Sequence, residues 1–361
     1  MPPVRPTRAN PAWLRLLPGA LIGLAAALVS LTFWSGGLLQ SWEAVTFDWR
    51  ARLLAAPGPN TDNIRLILLD QKSLDWAEEH FGLSWPWPRQ VYAPIIDFCR
   101  RAGAKSIAFD VVYTEPSVYG VFDDEALGTA MKTFGRTVMP VDLHLDDGSD
   151  EHWPDFAPAL LSVIPGFDQW PGTKELTMNL ATFPIPEVAT NTTVLGNVSF
   201  SPDMDTVYRR LPLVQFFDGH QVPSLPLAAY LAAHPDASLS LVDGVLHVDS
   251  LLAPLRHPGT VVLNYRGTTE VFRPVSAAAV IQSELQLLEG AKPVLDPAEF
   301  KDKYVFFGFS ATGLLDLRPT PLGGVTPGVV INATVLDNLL SSDFLQHPPT
   351  EATVLFTLLL S

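Results

Sequence analysis

The hydrophobic pattern of the chain changes period several times, and each change predicts an element. From Leu16 to Leu39 about 24 residues pass without a charge, enough to cross a hydrocarbon core of roughly 30 Å. "SWEAVTFDWRARLLAAP" then reads as an amphipathic helix, with Val45, Trp49, Arg52 and Ala56 set against Phe47, Ala51 and Leu54, and Pro57 to Asn60 end it. "NIRLILLD" is short and nearly all apolar, the pattern of a strand covered on both faces. Val91, Ile95, Phe98 and Ala102 recur at helical spacing, with Pro94 confined to the first turn and Gly103 just past the end. "KSIAFDVVY" is a second buried strand. Strand, helix and strand make a βαβ unit, which predicts two parallel strands joined by a right-handed crossover.

Further along, "DDEALGTAMKTF" predicts a helix and "RTVMPVDL" a strand, while Asp142 to Gly172 is expected to be irregular. "TVLGNVSF" and "VYRRLPLVQFF" read as an antiparallel hairpin around "SPDMD". "PSLPLAAYLAAH" is helical, "LSLVDGVLHVD" is a hairpin turning at Asp-Gly, and "TVVLNYRG" is a strand. Ser276 is placed to cap "AAAVIQSELQLLEG", which closes at Gly290. "YVFFGFS" is the most hydrophobic strand. In "TPGVVINATVLDNLL", Thr326 is expected as cap and Pro327 as first helical residue, with Val329, Ala333, Leu336 and Leu340 on one face. The expected fold class is α/β: a mixed, largely parallel sheet flanked by helices, in one domain, preceded by one N-terminal transmembrane helix.

Charge gives the span a direction. Arg5, Arg8 and Arg15 precede Glu43, the first acidic residue, so the positive-inside rule leaves the N-terminus in the cytoplasm and exports the rest. The apolar run exceeds a signal-peptide core, and "SGGLLQSWEA" is a poor cleavage site. The chain is 361 residues long with a formal charge of −15, and it has no basic stripe, which sets nucleic acid aside as a partner. "TEATVLFTLLLS" turns apolar after Glu351, as the start of another span would. Cys99, the only cysteine, excludes an intrachain disulfide and sits where a buried thiol is inert.

No catalytic constellation emerges. "GFSATG" around Ser310 is not a nucleophile elbow, and the eight histidines show no zinc spacing. The acidic run "DLHLDDGSDEHWPD" lacks the EF-hand register and reads as a solvated hairpin tip. No metal and no cofactor is expected. The ends of the apolar strands carry more interest, because ligands of parallel sheets bind outside the carboxyl ends. Those ends hold Asp70 and Ser73, then Asp110 and Glu115, then Ser310, Thr312, Asp316 and Arg318. They are either ordinary strand-exit and cap residues or the floor of a polar crevice rimmed by Trp85, Trp87 and Arg89. "WPWPR" is first the lead-in to the crossover helix, and Trp87 and Arg89 are the candidates for a second role there.

Several blocks resemble the type 2 cyclase/histidine-kinase-associated sensory extracellular (CHASE) domain of bacterial transmembrane receptors. They are "FDWRAR", "ILLDQKSL", "WPWPRQVYAPIIDFCRRAGAKSIAFDVVYTEPS", "DDEALGTAM", "GNVSFSPDMDTVYRRLPL", "VPSLPLAAY", "VVLNYRG" and "YVFFGFSATGLLDLRPTPLGGVTPGVVINATVLDNLL". One departure is Thr206, which stands where the family's P-D-x-D-G turn has glycine, while Asp203, Asp205 and Arg209 remain. The resemblance implies a cytoplasmic N-terminus at residues 1–15, a transmembrane helix at 16–39, an extracytoplasmic sensory domain at 42–347 and the start of a second span at 352–361. It also implies a bacterial inner-membrane receptor, expected to act as a homodimer, whose cytoplasmic output is a class III adenylate or guanylate cyclase, or otherwise a histidine or Ser/Thr kinase. The stimulus would be an unknown small ligand or an envelope protein. The alternative is an envelope dimerisation or assembly module that binds nothing small.

Overall fold

The computed structural model describes residues 12–158, 163–314, 316–346 and 348–361, except for the side chains of residues 12–16 and of Thr312. The chain divides into two compact units, one of Met1–Arg50 with Gln346–Ser361 and one of Ala51–Leu345. The expected cytoplasmic residues 1–11 lie outside the described residues.

In the first unit, helix α1 (Ala12–Ser35) contains the one described helix long and apolar enough to cross a membrane, Leu17–Ser35. At 1.5 Å per residue its 19 residues reach about 28 Å. The apolar run continues to Leu39, but the helix stops at a turn in which Gly37 takes φ 72°. Helix α2 (Gln40–Leu54) follows, crosses the boundary between the units, and buries none of its residues.

The second unit is built on one sheet. Its strands are β1 (Ile64–Leu69), β2 (Ser106–Phe109), β3 (Thr137–His144), β4 (Leu180–Thr182), β5 (Val194–Asn197), β6 (Val275–Ser276) and β7 (Tyr304–Phe309). The order runs β6–β1–β7–β2–β3, all parallel, and the outer edge of β3 pairs in parallel with β5 and antiparallel with β4. All six residues of β1 and the first five of β7 are buried, as continuous apolar runs require.

Two hydrophobic layers cover the sheet. Helices α3 (Gln71–Phe81), α4 (Ala93–Ala102) and α5 (Val121–Phe134) pack on one face, and α6 (Leu225–Ala233) covers the other. Helix α7 (Ala277–Leu288) joins the first layer and α8 (Gly328–Ser341) the second, while α9 (Thr350–Leu360) belongs to the first unit. Alternate strand residues face alternate layers: Tyr304 and Phe306 meet α6 and α8, and Val305 and Phe307 meet the other four helices. Gly308 lets α8 lie on the sheet, because a Cβ there would come within 2.6 Å of Val329 Cβ.

Several expectations need correction. Strands β1 and β2 are parallel, as expected, and β7 inserts between them and pairs with both. The most hydrophobic strand takes the central place because that place is covered on every side. The hairpin expected around "SPDMD" does not form. Strand β5 extends the parallel sheet on β3, and Arg210–Pro212 pairs antiparallel with Thr260–Val262 instead. The intervening turn is held by charge: Arg209 binds Asp203 at 3.2 Å and Asp205 at 2.8 Å. Thr326 does not cap α8. It pairs with Arg318 in a small hairpin, and Pro327 occupies the cap. The Asp243–Gly244 hairpin forms as expected, and Asp218–Gly219 makes a second one that went unread although the signal is the same.

Thr206 takes φ 66°, a left-handed conformation that strains a β-branched residue. Thr206→Gly should therefore raise stability by about 1 kcal/mol, measured as a higher thermal midpoint of the full chain in detergent, with no change in spectroscopic secondary structure.

Candidate functional site

The carboxyl end of the sheet is where the chain parts. Strands β1 and β2 lead into helices on one face, while β7 leads to α8 on the other. A divergence of this kind opens a crevice at the strand ends.

The candidates at this end fall into three groups. Asp70 caps α3: its Oδ1 accepts from Ser73 N at 2.8 Å and Ser73 Oγ at 2.6 Å. Ser276 occupies the cap position of α7, but its hydroxyl donates to Asp70 Oδ1 at 3.1 Å rather than accepting from its own helix. Ala278 N donates to Ser73 Oγ at 3.2 Å. Asp70, Ser73 and Ser276 thus tie the starts of two helices together, which is cap chemistry.

The second group is "WPWPR". Trp85 is partly exposed and stands edge-on to Phe309, while Trp87 is buried beside Tyr92. Asp123, at the start of α5, accepts from the main-chain nitrogens of Arg89 at 2.7 Å and Gln90 at 2.8 Å. The Arg89 guanidinium pairs with buried Asp124, donates to the main-chain oxygen of Glu115 and lies 4.9 Å from the Tyr113 ring centre. The Glu115 side chain points to solvent. Arg89 is therefore a bolt between the α4 lead-in and α5.

The third group is different. Asp110, at the exit of β2, accepts from Asn332 Nδ2 of α8 at 3.1 Å. Asp316 packs on the first residue of α8, where a Cβ on Gly328 would come within 2.7 Å of its Oδ1. Arg318 Nε stands 3.5 Å from that Oδ1. Asp316 Oδ2 and Asn332 Oδ1 are buried and have no partner among the described residues. Burial, then the nearby Asp316 charge, pushes the Asp110 carboxyl up to about 7, and burial raises Asp316 as well. Ser310 N donates to Leu69 O at 3.1 Å, and Thr312 lies in the short turn Thr312–Leu314. The structure thus joins Asp110, Asp316 and Arg318, and adds Asn332, which sequence reasoning passed over inside an apolar helix.

Sequence reasoning also missed a polar cluster at the opposite end of α8. Asp337 is wholly buried there and accepts from Arg266 Nε at 2.9 Å and from the hydroxyl of Thr61. Arg266 Nη2 also reaches Asp343 at 2.7 Å, and Asn338 exchanges hydrogen bonds with the main chain of Asn264 at 2.7 and 2.9 Å. Asn60 Nδ2 donates to Leu340 O at 3.0 Å. Residues 58–64, where the chain enters the unit, are thereby clamped to residues 337–345, where it leaves. Two polar residues in the apolar run "TVLDNLL" were the available signal.

Three outcomes follow. Between about pH 4 and pH 7 the folded state keeps a proton on Asp110 that the unfolded chain has released, so this group's contribution to stability falls as pH rises through that window and is flat above it. Asp110→Asn should melt a few degrees above the wild type at pH 8, and the difference should vanish near pH 4. Asp337→Ala leaves Arg266 buried without its inner partner and should cost about 3–5 kcal/mol in denaturant unfolding. Asp97→Ala, which breaks the exposed pair with Arg100, should cost less than about 1 kcal/mol.

The family model described as CHASE2 domain matches residues 24–361. No curated protein and no solved structure matches the chain.

Proposed function

Since the chain belongs to the CHASE2 domain family, whose members are extracellular sensory domains of receptors, we propose that it is the input region of a bacterial inner-membrane receptor. In this reading the N-terminus is cytoplasmic, α1 is the anchor and the unit Ala51–Leu345 is extracytoplasmic. The domain acts as a homodimer and passes its signal through the membrane to a cytoplasmic class III nucleotide cyclase, or otherwise to a histidine or Ser/Thr kinase. The candidate input residues are Asp110, Asp316 and Arg318, with Asn332.

One observation carries the reading. The two polar clusters meet α8 in its two halves, Gly328 and Asn332 in the first two turns and Asp337 and Asn338 further on, with Asn332 and Asp337 about 7.5 Å apart along the axis at 1.5 Å per residue. A ligand that favours one position of the α8 N-terminus would shift the equilibrium at its far end, where Asp337, Leu340 and Asp343 hold the entering and leaving chain. A second tie is shorter: Arg52 Nε, in the last turn of α2, donates to Pro321 O at 2.9 Å, in the loop that follows Arg318.

An assembly module remains the second reading, favoured by one patch. Val118, Tyr119, Val121 and Phe122 are all exposed next to the crevice strand exit, and an apolar cluster of this kind suits a protein partner. The readings separate in the full receptor in membranes, with cyclic-nucleotide production or autophosphorylation as the output. Asn60→Ala and Arg52→Ala remove ties that hold the first residues of the second unit to its loop after Arg318 and to the end of α8, while leaving the core intact. Each should change basal output at least severalfold with a melting shift of only a few degrees. Unchanged output in both would sink the sensory relay and leave the assembly module.

A further inference from the structure

The cluster at the N-terminal end of α8 is chemically one-sided. Asn332 is 3% exposed, and it faces the carboxylates, since its Nδ2 donates to Asp110. Among the described residues its Oδ1 is left without a donor, as is Asp316 Oδ2. A buried acceptor without a donor is costly, and native proteins rarely leave two together unless something else occupies the site. The atoms lacking partners are oxygens, so the missing group is a hydrogen-bond donor and not an anion.

Charge and count narrow the choice. Once pH lies above the raised titration of Asp110, two carboxylates beside one guanidinium leave a net charge of about −1, which a single monovalent cation balances. Among the described residues no group of three or more His, Cys, Asp or Glu is placed to hold a metal ion, and the adjacent Arg318 would repel a divalent one. A primary ammonium brings one charge and three N–H donors. Asp110, Asp316 Oδ2 and Asn332 Oδ1 supply acceptors from three different elements. Arg318 is half exposed at the rim, 5.9 Å from the Tyr208 ring centre, and its hold on Asp316 is long. That leaves it able to meet a carboxylate carried by the same ligand.

We infer that the crevice binds a small molecule through a primary ammonium group, held between Asp110, Asp316 and Asn332. The inference rests on the sensory reading above and names the class of its stimulus. Such a ligand would draw the exit of β2, the loop after β7 and the start of α8 together, and so act directly on the helix that carries Asp337. Protonation of Asp110 competes with it. The charged and polar groups facing Asp110 are Asp316 and Arg318 from the loop and Asn332 from α8, so affinity should decline as pH falls below about 7.

The test is calorimetry and thermal shift on the full chain in detergent at pH 8, with n-propylammonium, 1,4-diammoniobutane and L-alanine as probes. Tetramethylammonium, which has charge but no N–H, and calcium and magnesium chloride are the contrasts. At least one ammonium probe should bind and raise the melting temperature, tetramethylammonium should not, and Asp316→Asn should weaken binding at least tenfold. Arg318→Ala, a surface change that spares the core, guards against misfolding of the first variant. It should tighten n-propylammonium and weaken L-alanine. Binding of calcium or magnesium alone, binding of no probe, or ammonium binding indifferent to both variants overturns the assignment. The two proposals fail separately: output that responds to Asn60→Ala without any ammonium binding removes the ligand class only, whereas ammonium binding with no change in output removes the sensory reading and keeps the site.

Discussion

A helix buried on all sides cannot carry a charge unless a partner of opposite sign is buried with it. Helix α8 is such a helix, and Asp337 is that charge. Much of the second unit follows from this constraint. Arg266 must come in from the segment after Thr260–Val262, Thr61 must sit in the short turn just before β1, and Asp343 must fold back behind the helix end. Gly58 has no side chain where the Arg266 guanidinium passes, since a Cβ would lie 2.7 Å from its Cζ. The ion pair is weak evidence of net stability, because desolvation offsets most of its attraction. Its consequence is specificity: the chain's entry and exit have one arrangement that satisfies every buried polar atom in the clamp.

The opposite end of the same helix obeys the same electrostatics with another outcome. There two carboxylates approach each other, a single half-exposed arginine stands nearby at 3.5 Å, and two oxygens remain without donors. The helix is thus fully paired at Asp337 and, among the described residues, left with partnerless acceptors near Asn332. Elements that respond to ligands are drawn from regions of low stability. In the proposed reading the incomplete site would receive the input.

Much of the secondary structure was legible because the apolar runs were unambiguous. "NIRLILLD" and "YVFFGFS" have no polar alternation, so both had to be strands covered on two faces, and Gly103 and Gly290 mark helix ends by their left-handed φ values of 78° and 74°. The candidate residues were legible as strand exits, yet their roles were not. Asp70, Ser73 and Arg89 proved to be ties within the scaffold, because each finds its partner from a distant segment: Ser276, or Asp124 and the Glu115 carbonyl. Asn332, Asp337 and Arg266 were overlooked because a polar residue inside an apolar run is meaningful only once its partner is known.

What the sequence determined by itself was local: the apolar N-terminal helix, the type of most elements, the family and the end of the sheet to inspect. These depend on periodicity and on contacts a few residues apart, which a linear pattern records. Only the tertiary structure decided that β7 lies between β1 and β2, that β5 leaves its expected hairpin for β3, and that Asp110 and Asp316 share one buried site with Asn332. Those outcomes turn on which of several equally apolar or equally acidic segments meet. That choice is made by burial and charge balance summed over residues hundreds of positions apart.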